Sequence, residues 1–312
     1  MPLPVATLVV PAHNEAAVIG RLLRGLLDGA DPGEFSIVVV ANGCTDATAS
    51  VASGFGADVT VLETPVPSKA AALRLGDEAA SGFPRLYVDA DVELTAAGVR
   101  VLAAALERSG THAAAPERAL DLVNVSWPVS WYYDVWTRLP SVRDGLFGRG
   151  VIAVDAQGCE RLAALPSVMA DDLAASIAFS VSERAVVPEA RVGIRPPRTF
   201  ADLMRRRVRA VTSVTEVEGR DDMPAAPRTG LSDLVRLLRA EPALAPKVVL
   251  FAAVALLAKA RARRAVRRGD YLTWLRDESS RQPGHESERQ PGHHVERQPG
   301  QQAGHRTGTG EA

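Results

Sequence analysis

Short, almost continuous apolar runs alternate with longer mixed stretches through the first hundred residues. Thr7-Leu8-Val9-Val10, Ser36 to Val40, Val59-Thr60-Val61-Leu62 and Leu86-Tyr87-Val88 read as four strands. A nearly unbroken apolar run is the pattern of a strand covered on both faces. Between and after them lie four predicted helices: Ala16 to Leu27, with apolar positions at helical spacing, then about Asp46 to Ser53, Lys69 to Ala80, and about Ala96 to Glu107. Strands alternating with helices predict βαβ units, and so an α/β fold with a mostly parallel sheet flanked by helices. The opening MPLPVATLVVPAHNE has no basic leader and only a short apolar run, so it is expected to be the first strand and not a secretion signal.

After Ala113 the rhythm changes. Trp127, Trp131 and Trp136 fall within ten positions, together with Tyr132 and Tyr133. This aromatic cluster would serve to stack on an acceptor or to pack a core. A loop (Ser141 to Gly150), a strand (Val151 to Val154) and a helix from about Gln157 lead to an acidic pair, Asp171-Asp172. An arginine-rich helix is expected near Phe200 to Val214. Pro224 and Pro227 mark a linker, and Leu231 to Ala240 begins a helical region. The end differs in kind: Arg-Gln-Pro-Gly recurs at 281–284, 289–292 and 297–300. Such a polar segment cannot bury enough surface to fold alone, so residues 279–312 are expected to be a disordered tail. Four of the six histidines lie there and would capture a metal or stay part of a plain disordered segment.

Composition narrows the picture slightly. Lys and Arg total 36 against 37 Asp and Glu, a formal charge of -1, so no global field favours nucleic acid. Cys44 and Cys159, the only two cysteines, provide no disulfide framework, which suits a reducing cytoplasm.

Candidate chemistry gathers at strand ends, where ligands bind in open α/β sheets. Asp89-Ala90-Asp91 follows the fourth strand, and its carboxylates would share a hard cation or divide between a cation and a hydroxyl. As a solvated turn, the same triplet would cap the next helix. Lys69, after a Pro-rich loop and at a helix start, would reach a phosphate or remain a surface lysine. Asn42 and Asp46 would contact a base or ribose, or serve as turn and cap. His13 is expected to be a loop residue, the neighbouring Asn14-Glu15 sufficing for hydrogen bonding.

Taken together, the chain resembles a family 2 glycosyltransferase of the GT-A fold. The resemblance is carried by Pro11-Ala12-His13-Asn14-Glu15, Asn42-Gly43-Cys44-Thr45-Asp46, Lys69-Ala70-Ala71-Ala72-Leu73, Asp89-Ala90-Asp91 and Asp171-Asp172, in order over about two thirds of the chain. It implies inverting transfer of a sugar from a nucleoside-diphosphate donor to an acceptor hydroxyl, with Mn²⁺ or Mg²⁺ as cofactor. It also implies that Pro11, Asn14, Glu15 and Asn42 surround the nucleoside, Lys69 lies near the donor, and Asp89 meets ribose or sugar. Asp91, assisted by Asp89, would hold the metal, and Asp172 would be the general base. By the same analogy, residues 1–220 form the catalytic domain, with a donor half at 1–110 and an acceptor half at 111–220. Residues 221–278 form a helical extension.

Two departures stand out. Ala41-Asn42 occupies a place where the family commonly has two aspartates, which leaves base preference open. Arg205 to Ala210 has no tryptophan where processive members carry a Gln-Arg-x-x-x-Trp-like element, so a single addition is expected. Those arginines would meet the diphosphate or form a solvated face. Gly148-Arg149-Gly150 resembles the family's acceptor loop.

Val248 to Ala258 is apolar, and six basic residues follow up to Arg268. At about 1.5 Å per residue this run covers roughly half of a hydrocarbon core, too little to span. It would lie in an anionic membrane interface, on the inner face of the cell membrane, or pack on the catalytic domain. Two other functions compete on this sheet. A nucleotidyltransferase would carry a Gly- and Arg-rich loop after the first strand, where Pro11 to Glu15 stands. A non-catalytic binding protein would be expected to have lost one of Asp89, Asp91 and Asp172.

Overall fold

Strand β1 (Ala6–Ala12) is buried along its whole length and lies between β2 (Phe35–Asn42) and β4 (Arg85–Val88), pairing in parallel with both. Its valines and leucines meet side chains on either face, so no polar alternation is possible. β3 (Val59–Thr64) extends the parallel sheet beyond β2. On the other flank β6 (Val151–Val154) runs antiparallel to both β4 and β5 (Ala113–Leu120), and β5 pairs in parallel with β7 (Arg184–Ile194). The sheet order is β3-β2-β1-β4-β6-β5-β7. The mostly parallel α/β sheet expected from the sequence is present, with β6 as its one reversed strand. The computed structural model describes residues 4–165, 171–218 and 229–267, all within one unit, Met1–Gln282. The repeats lie outside the described residues.

β5 and β7 are absent from the sequence expectation. β5 is alanine-rich with Pro116 in its middle, and β7 contains Pro188. The pairing steps from Pro116↔Val187 to Glu117↔Arg191, so Pro188 falls in a bulge that removes it from the ladder. Neither strand has the long β-branched run that marks β1 to β3.

Helices α1 (Ile19–Leu27), α2 (Thr48–Ser53), α3 (Lys69–Ala79) and α4 (Ala96–Leu106) cover the parallel half. α1 buries Ile19, Leu22, Leu23 and Leu26, the i, i+3, i+4, i+7 stripe of an amphipathic helix. Each such side chain contributes about 1.5–3 kcal/mol on leaving water. Ser68 caps α3 by accepting from the Ala71 amide (3.3 Å), and Thr95 caps α4 through Gly98 (3.2 Å). The first two helices begin later than the sequence pattern predicts, because 13–18 and 43–47 are spent on loops at the strand ends.

A second core lies apart from the sheet. α5 (Trp127–Trp136) packs with α9 (Phe200–Glu218) and α11 (Ala245–Arg267), burying Val129, Tyr132, Leu203, Phe251 and Val254. Tyr132 stacks on Phe251 with ring centroids 5.0 Å apart. Most of the aromatic cluster is therefore core, although Trp127 stays 64% exposed. The short helix α6 (Pro140–Arg143) adds Val142 to this second core, α7 (Ala156–Ala163) and α8 (Asp171–Ile177) flank the sheet, and α10 (Leu231–Ala240) precedes α11. The loop expected from Ser141 thus contains helix α6. Pro242–Arg264 has a mean hydropathy of 1.9, enough to cross a membrane by length and composition alone, and so is longer than the run at 248–258. One face of α11, at Val248, Phe251, Val254, Ala258 and Ala262, is nevertheless committed to protein.

Candidate active site

Because β6 is reversed, β5 and β7 point the same way as β1 to β4. The carboxyl ends of six strands therefore share one edge of the sheet, and the amino end of β6 joins them. The clusters picked out by sequence converge on this edge.

The loops after β1 and β2 are bonded to each other. Asn14, at φ +52, accepts from the Thr45 amide through Oδ1 (2.7 Å). Glu15, only 6% exposed, donates its backbone N–H to Thr48 Oγ1 (2.8 Å). Asp46 accepts from the amides of Ala16 and Thr48 and from the Thr48 hydroxyl. Burial pushes the Asp46 carboxyl up, but the Thr48 hydroxyl and these amides outweigh it and hold the group below its ordinary value. Asn42 is buried beneath them and donates to the Ala12 carbonyl (2.9 Å), locking the ends of β1 and β2 together. His13 Nδ1 lies 2.6 Å from the Asn42 carbonyl. Pro11 lies buried in β1 opposite Val40. A cleft of roughly 430 Å³ opens beside this floor, lined by Gly43, Cys44, Thr45, Glu63 and Pro65 among others. Gly43 is required there: at φ +56, a Cβ would come within 2.8 Å of the Pro67 backbone.

Lys69 opens α3 and places Nζ 2.8 Å from Asp89 Oδ1, with both side chains more than a third exposed. Asp91 is half-buried, and its carbonyl accepts from Arg21 (3.2 Å). Arg21 and Arg195 share one carboxylate, Glu93, at 3.0 and 3.2 Å. Glu93 and Gly193 exchange backbone hydrogen bonds, which staples the stretch after Asp91 to the end of β7. A second cleft of roughly 310 Å³ lies here, lined by Glu93, Asp121, Gly193 and Arg195. The triplet thus stands between two clefts.

The loop 141–150 closes over the triplet from the side of β6. The Gly150 carbonyl accepts from the Asp89 amide (2.7 Å). At φ +66, a Cβ on Gly150 would lie 2.5 Å from Val92 and 3.2 Å from Asp89 Oδ2. Arg149 is wholly buried and donates to the carbonyls of Gly145 (3.0 Å), Pro116 (2.7 Å) and Arg143 (2.7 Å), with Glu117 3.7 Å away. Arg118 holds the same loop through the carbonyls of Val142 (2.7 Å) and Gly148 (3.1 Å). Ser176 in α8 accepts from the Leu146 amide (3.0 Å), so α8 is fixed to this loop. Asp171 and Asp172 form the first turn of α8, but their side chains lie outside the described residues. Sequence reading missed Arg118, Arg21, Glu93 and Arg195 as members of the site, and had Arg149 only as part of a loop pattern. Only the Gly-Arg-Gly pattern around Arg149 gave any local signal.

The model of glycosyl transferase family 2 matches residues 7–159, from β1 through the triplet and the loop into α7. Those residues are a family 2 glycosyltransferase domain. Similar solved structures include the mannosyltransferase PcManGT from Pyrobaculum calidifontis in complex with GDP-Man and Mn²⁺. It shares 20% identity and a TM-score of 0.55, over 85% of this chain and 76% of that one. Another is glucosyl-3-phosphoglycerate synthase from Mycobacterium tuberculosis, solved with Mn²⁺, UDP and glucosyl-3-phosphoglycerate. That one shares 20% identity and a TM-score of 0.51, over 70% of this chain and 80% of that one. At such identities the likeness is one of fold. None of the curated proteins searched matches the sequence.

Within the glycosyltransferase domain the donor set suits a hard divalent cation. Asp89 and Asp91 present carboxylate oxygens at the end of β4. Among the described residues no group of three His, Cys, Asp or Glu gathers to hold a metal, at this edge or elsewhere, so the two aspartates would rely on the ligand for further oxygens. Two carboxylates leave coordination positions for the oxygens of a diphosphate and for water, the usual arrangement for Mg²⁺ and related ions.

Proposed function

We propose that this glycosyltransferase moves one sugar per encounter from a nucleoside-diphosphate sugar to an acceptor hydroxyl, with inversion and without processive addition. The observation that carries the reading is the placement of Lys69, Asp89 and Asp91 between two clefts on the carboxyl edge of the sheet. The nucleoside occupies the cleft beside β2 and β3, framed by Pro11, Asn14 and Glu15, with Asn42 as the bonded floor beneath them. Lys69 turns toward the diphosphate while Asp89 meets ribose or sugar. Asp91 is the principal ligand of Mn²⁺ or Mg²⁺, with Asp89 beside it. When bound, the ion neutralises charge on the departing diphosphate.

Asp172 is the general base. It stands four residues before Ser176, so both positions share one face of α8, and Ser176 is bonded to the loop that ends against Asp89. The base takes the acceptor proton as the acceptor oxygen bonds to the anomeric carbon and the bond to the diphosphate breaks. The Arg205 to Ala210 stretch has no tryptophan, which favours single addition. The protein works in the cytoplasm, in keeping with its two free cysteines, and touches the inner face of the membrane through α11.

The test is nucleoside diphosphate release from a panel of UDP- and GDP-sugars in Mn²⁺. Release is expected with at least one donor and should be lost in Asp91→Ala. Full activity in excess EDTA would overturn the metal assignment. Release of sugar 1-phosphate, in place of nucleoside diphosphate, would mean attack at the α-phosphate and would establish a nucleotidyltransferase.

A further inference from the structure

We infer that the acceptor hydroxyl belongs to an amphiphilic lipid, taken from an anionic membrane against which the carboxyl edge of the sheet is docked. This rests on the glycosyl-transfer reading above and names its acceptor class. Two features of the structure, and their placement at one end of the domain, converge on it.

The lining of the second cleft mixes Glu93, Asp121 and Arg195 with Leu120 and Ile194. Glu93 and Arg195 are linked through Arg21 to the Asp91 backbone. Exposed apolar residues in the chain just beyond this lining form a rim. The chain leaving β5 at this cleft exposes Leu122 (38%), Val123 (70%) and Trp127 (64%). The chain leaving β7 exposes Phe200, and the two segments are joined by the Ser126 amide donating to the Arg198 carbonyl (2.8 Å). Such clustering of large exposed apolar side chains beside a binding cleft marks contact with an apolar partner. A small polar acceptor would have no use for this rim. A lipid would set its headgroup hydroxyl in the cleft and its chains across the rim.

α11 has two opposite faces. Val248, Phe251, Val254, Ala258 and Ala262 are buried against the second core. About half a turn round the helix, Val249 (69%), Leu256 (69%) and Leu257 (48%) are exposed, with no charged residue between Val248 and Ala258. Lys259, Arg261, Arg263 and Arg264 follow, all exposed. An apolar stripe ending in basic residues fits an anionic bilayer interface, where the stripe enters the headgroup boundary and the cations meet lipid phosphates.

The two surfaces lie at the same end of the domain. Along α5 and α11 the contacts run in opposite order: Arg138 with Glu241 (3.4 Å), Asp134 with Lys247, and Tyr132 with Phe251. The helices are therefore antiparallel, and α11 advances toward the start of α5. At about 1.5 Å per residue, Leu256 is level with Trp127, and the basic residues lie roughly one to two turns beyond it. The start of α5 follows the carboxyl end of β5, which is the edge that carries the clefts. A bilayer bound by the basic end of α11 therefore meets the rim at Leu122, Val123 and Trp127.

The experiment compares glycerol with diacylglycerol as acceptor, the latter in vesicles of phosphatidylcholine and phosphatidylglycerol, using a donor and Mn²⁺ that the protein is first shown to bind. The expected result is sugar label in the organic-extractable lipid, with kcat/KM per hydroxyl for the lipid roughly a hundredfold or more above that for glycerol. Combining Val123→Asp with Trp127→Ala should remove roughly tenfold or more of that preference while donor affinity stays unchanged. Combining Lys259→Glu, Arg261→Glu, Arg263→Glu and Arg264→Glu should abolish sedimentation with these vesicles, and wild-type sedimentation should weaken as salt rises. Equal use of glycerol and lipid, label confined to the aqueous phase, or a rim variant with wild-type preference would each overturn this inference. A protein that binds no nucleotide-sugar fails the reading beneath it instead, and the donor-binding step separates the two failures.

Discussion

The donor half and the helical half dispose of their surfaces in opposite ways. At the strand ends of β1, β2 and β4, polar groups are bonded to one another: Asn14 to Thr45, Glu15 to Thr48, Asn42 to Ala12, Lys69 to Asp89. A loop held by such bonds is already ordered when a donor arrives, so little conformational entropy remains to be lost on binding. In the helical half Leu231 (82%), Val249 (69%), Leu256 (69%) and Leu257 (48%) stay in contact with water. The first region is finished by its own hydrogen bonds, whereas the second leaves apolar area for something else to cover. On the function proposed above, the first would hold a charged nucleotide in fixed geometry and the second would meet an apolar phase.

The largest effect that would sharpen this contrast comes from the proposed base. Asp172→Asn should lower turnover by about two to four orders of magnitude while leaving donor affinity unchanged, because the base acts on the acceptor. Single-turnover kinetics with a tight donor would check it, and an equal loss in Asp171→Asn alone would move the role to that residue. Next comes Asp91→Ala. Loss of a group that stabilises developing charge typically lowers turnover by about two to three orders of magnitude, and here Mn²⁺ affinity should fall with it. Paramagnetic titration of Mn²⁺ in the presence of nucleoside diphosphate provides a readout besides activity.

Phe251→Ala tests whether the two halves are energetically separate. Removing a ring stacked on Tyr132 should cost about 3–5 kcal/mol of helical-half stability, read by urea unfolding. Donor affinity should be unaffected, and a parallel loss of nucleotide binding would break the comparison. Gly150→Ala is expected to have a smaller effect on stability, about 1–3 kcal/mol, because the new methyl meets Val92 at 2.5 Å in a left-handed backbone conformation. It should also lower kcat by displacing Asp89, whose amide is bonded to the Gly150 carbonyl.

The smallest effect is on pH dependence. Burial pushes the Asp134 carboxyl up, but its hydrogen bonds to Lys247 and Arg138 outweigh this and hold it below its ordinary 3.8. A depressed carboxylate stabilises the folded state above its unfolded value, and that contribution is lost as pH falls through the folded one. The junction of α5 with α11 should therefore loosen only below about pH 4, seen as a fall in melting temperature that Asp134→Asn flattens. A decline already present at pH 6 would place the sensitive group elsewhere.

The chain order alone established a good deal. The apolar runs of β1 and β2 specify strands buried on both faces, since no alternation of polar residues offers a solvated side, whereas β3, which reads the same way, is the edge strand and buries only Val59. From strands alternating with helices it followed that the polar clusters at 11–15, 42–46, 69 and 89–91 would meet along one edge. A local pattern carries such information because strand direction fixes which end each loop leaves from. The alanine-rich β5 and proline-containing β7 were not legible, for their pairing depends on a bulge and on a reversed neighbour, β6, which local propensity does not encode.

Only the tertiary structure decided what individual polar residues do. Asn42 and Arg149 look alike in sequence, each being a polar residue in a glycine-containing loop, yet both are buried and spend donors on backbone carbonyls. Glu93 acquires its place from Arg21, seventy-two positions earlier, and from Arg195, more than a hundred later. Likewise the apolar run of α11 is divided into a packed face and an exposed face by α5 and α9, not by its own composition. Hydrogen-bond partners and buried faces are set by which segments meet in space. That meeting is a property of the whole sheet and its second core, whereas strand and helix periods belong to a few consecutive residues.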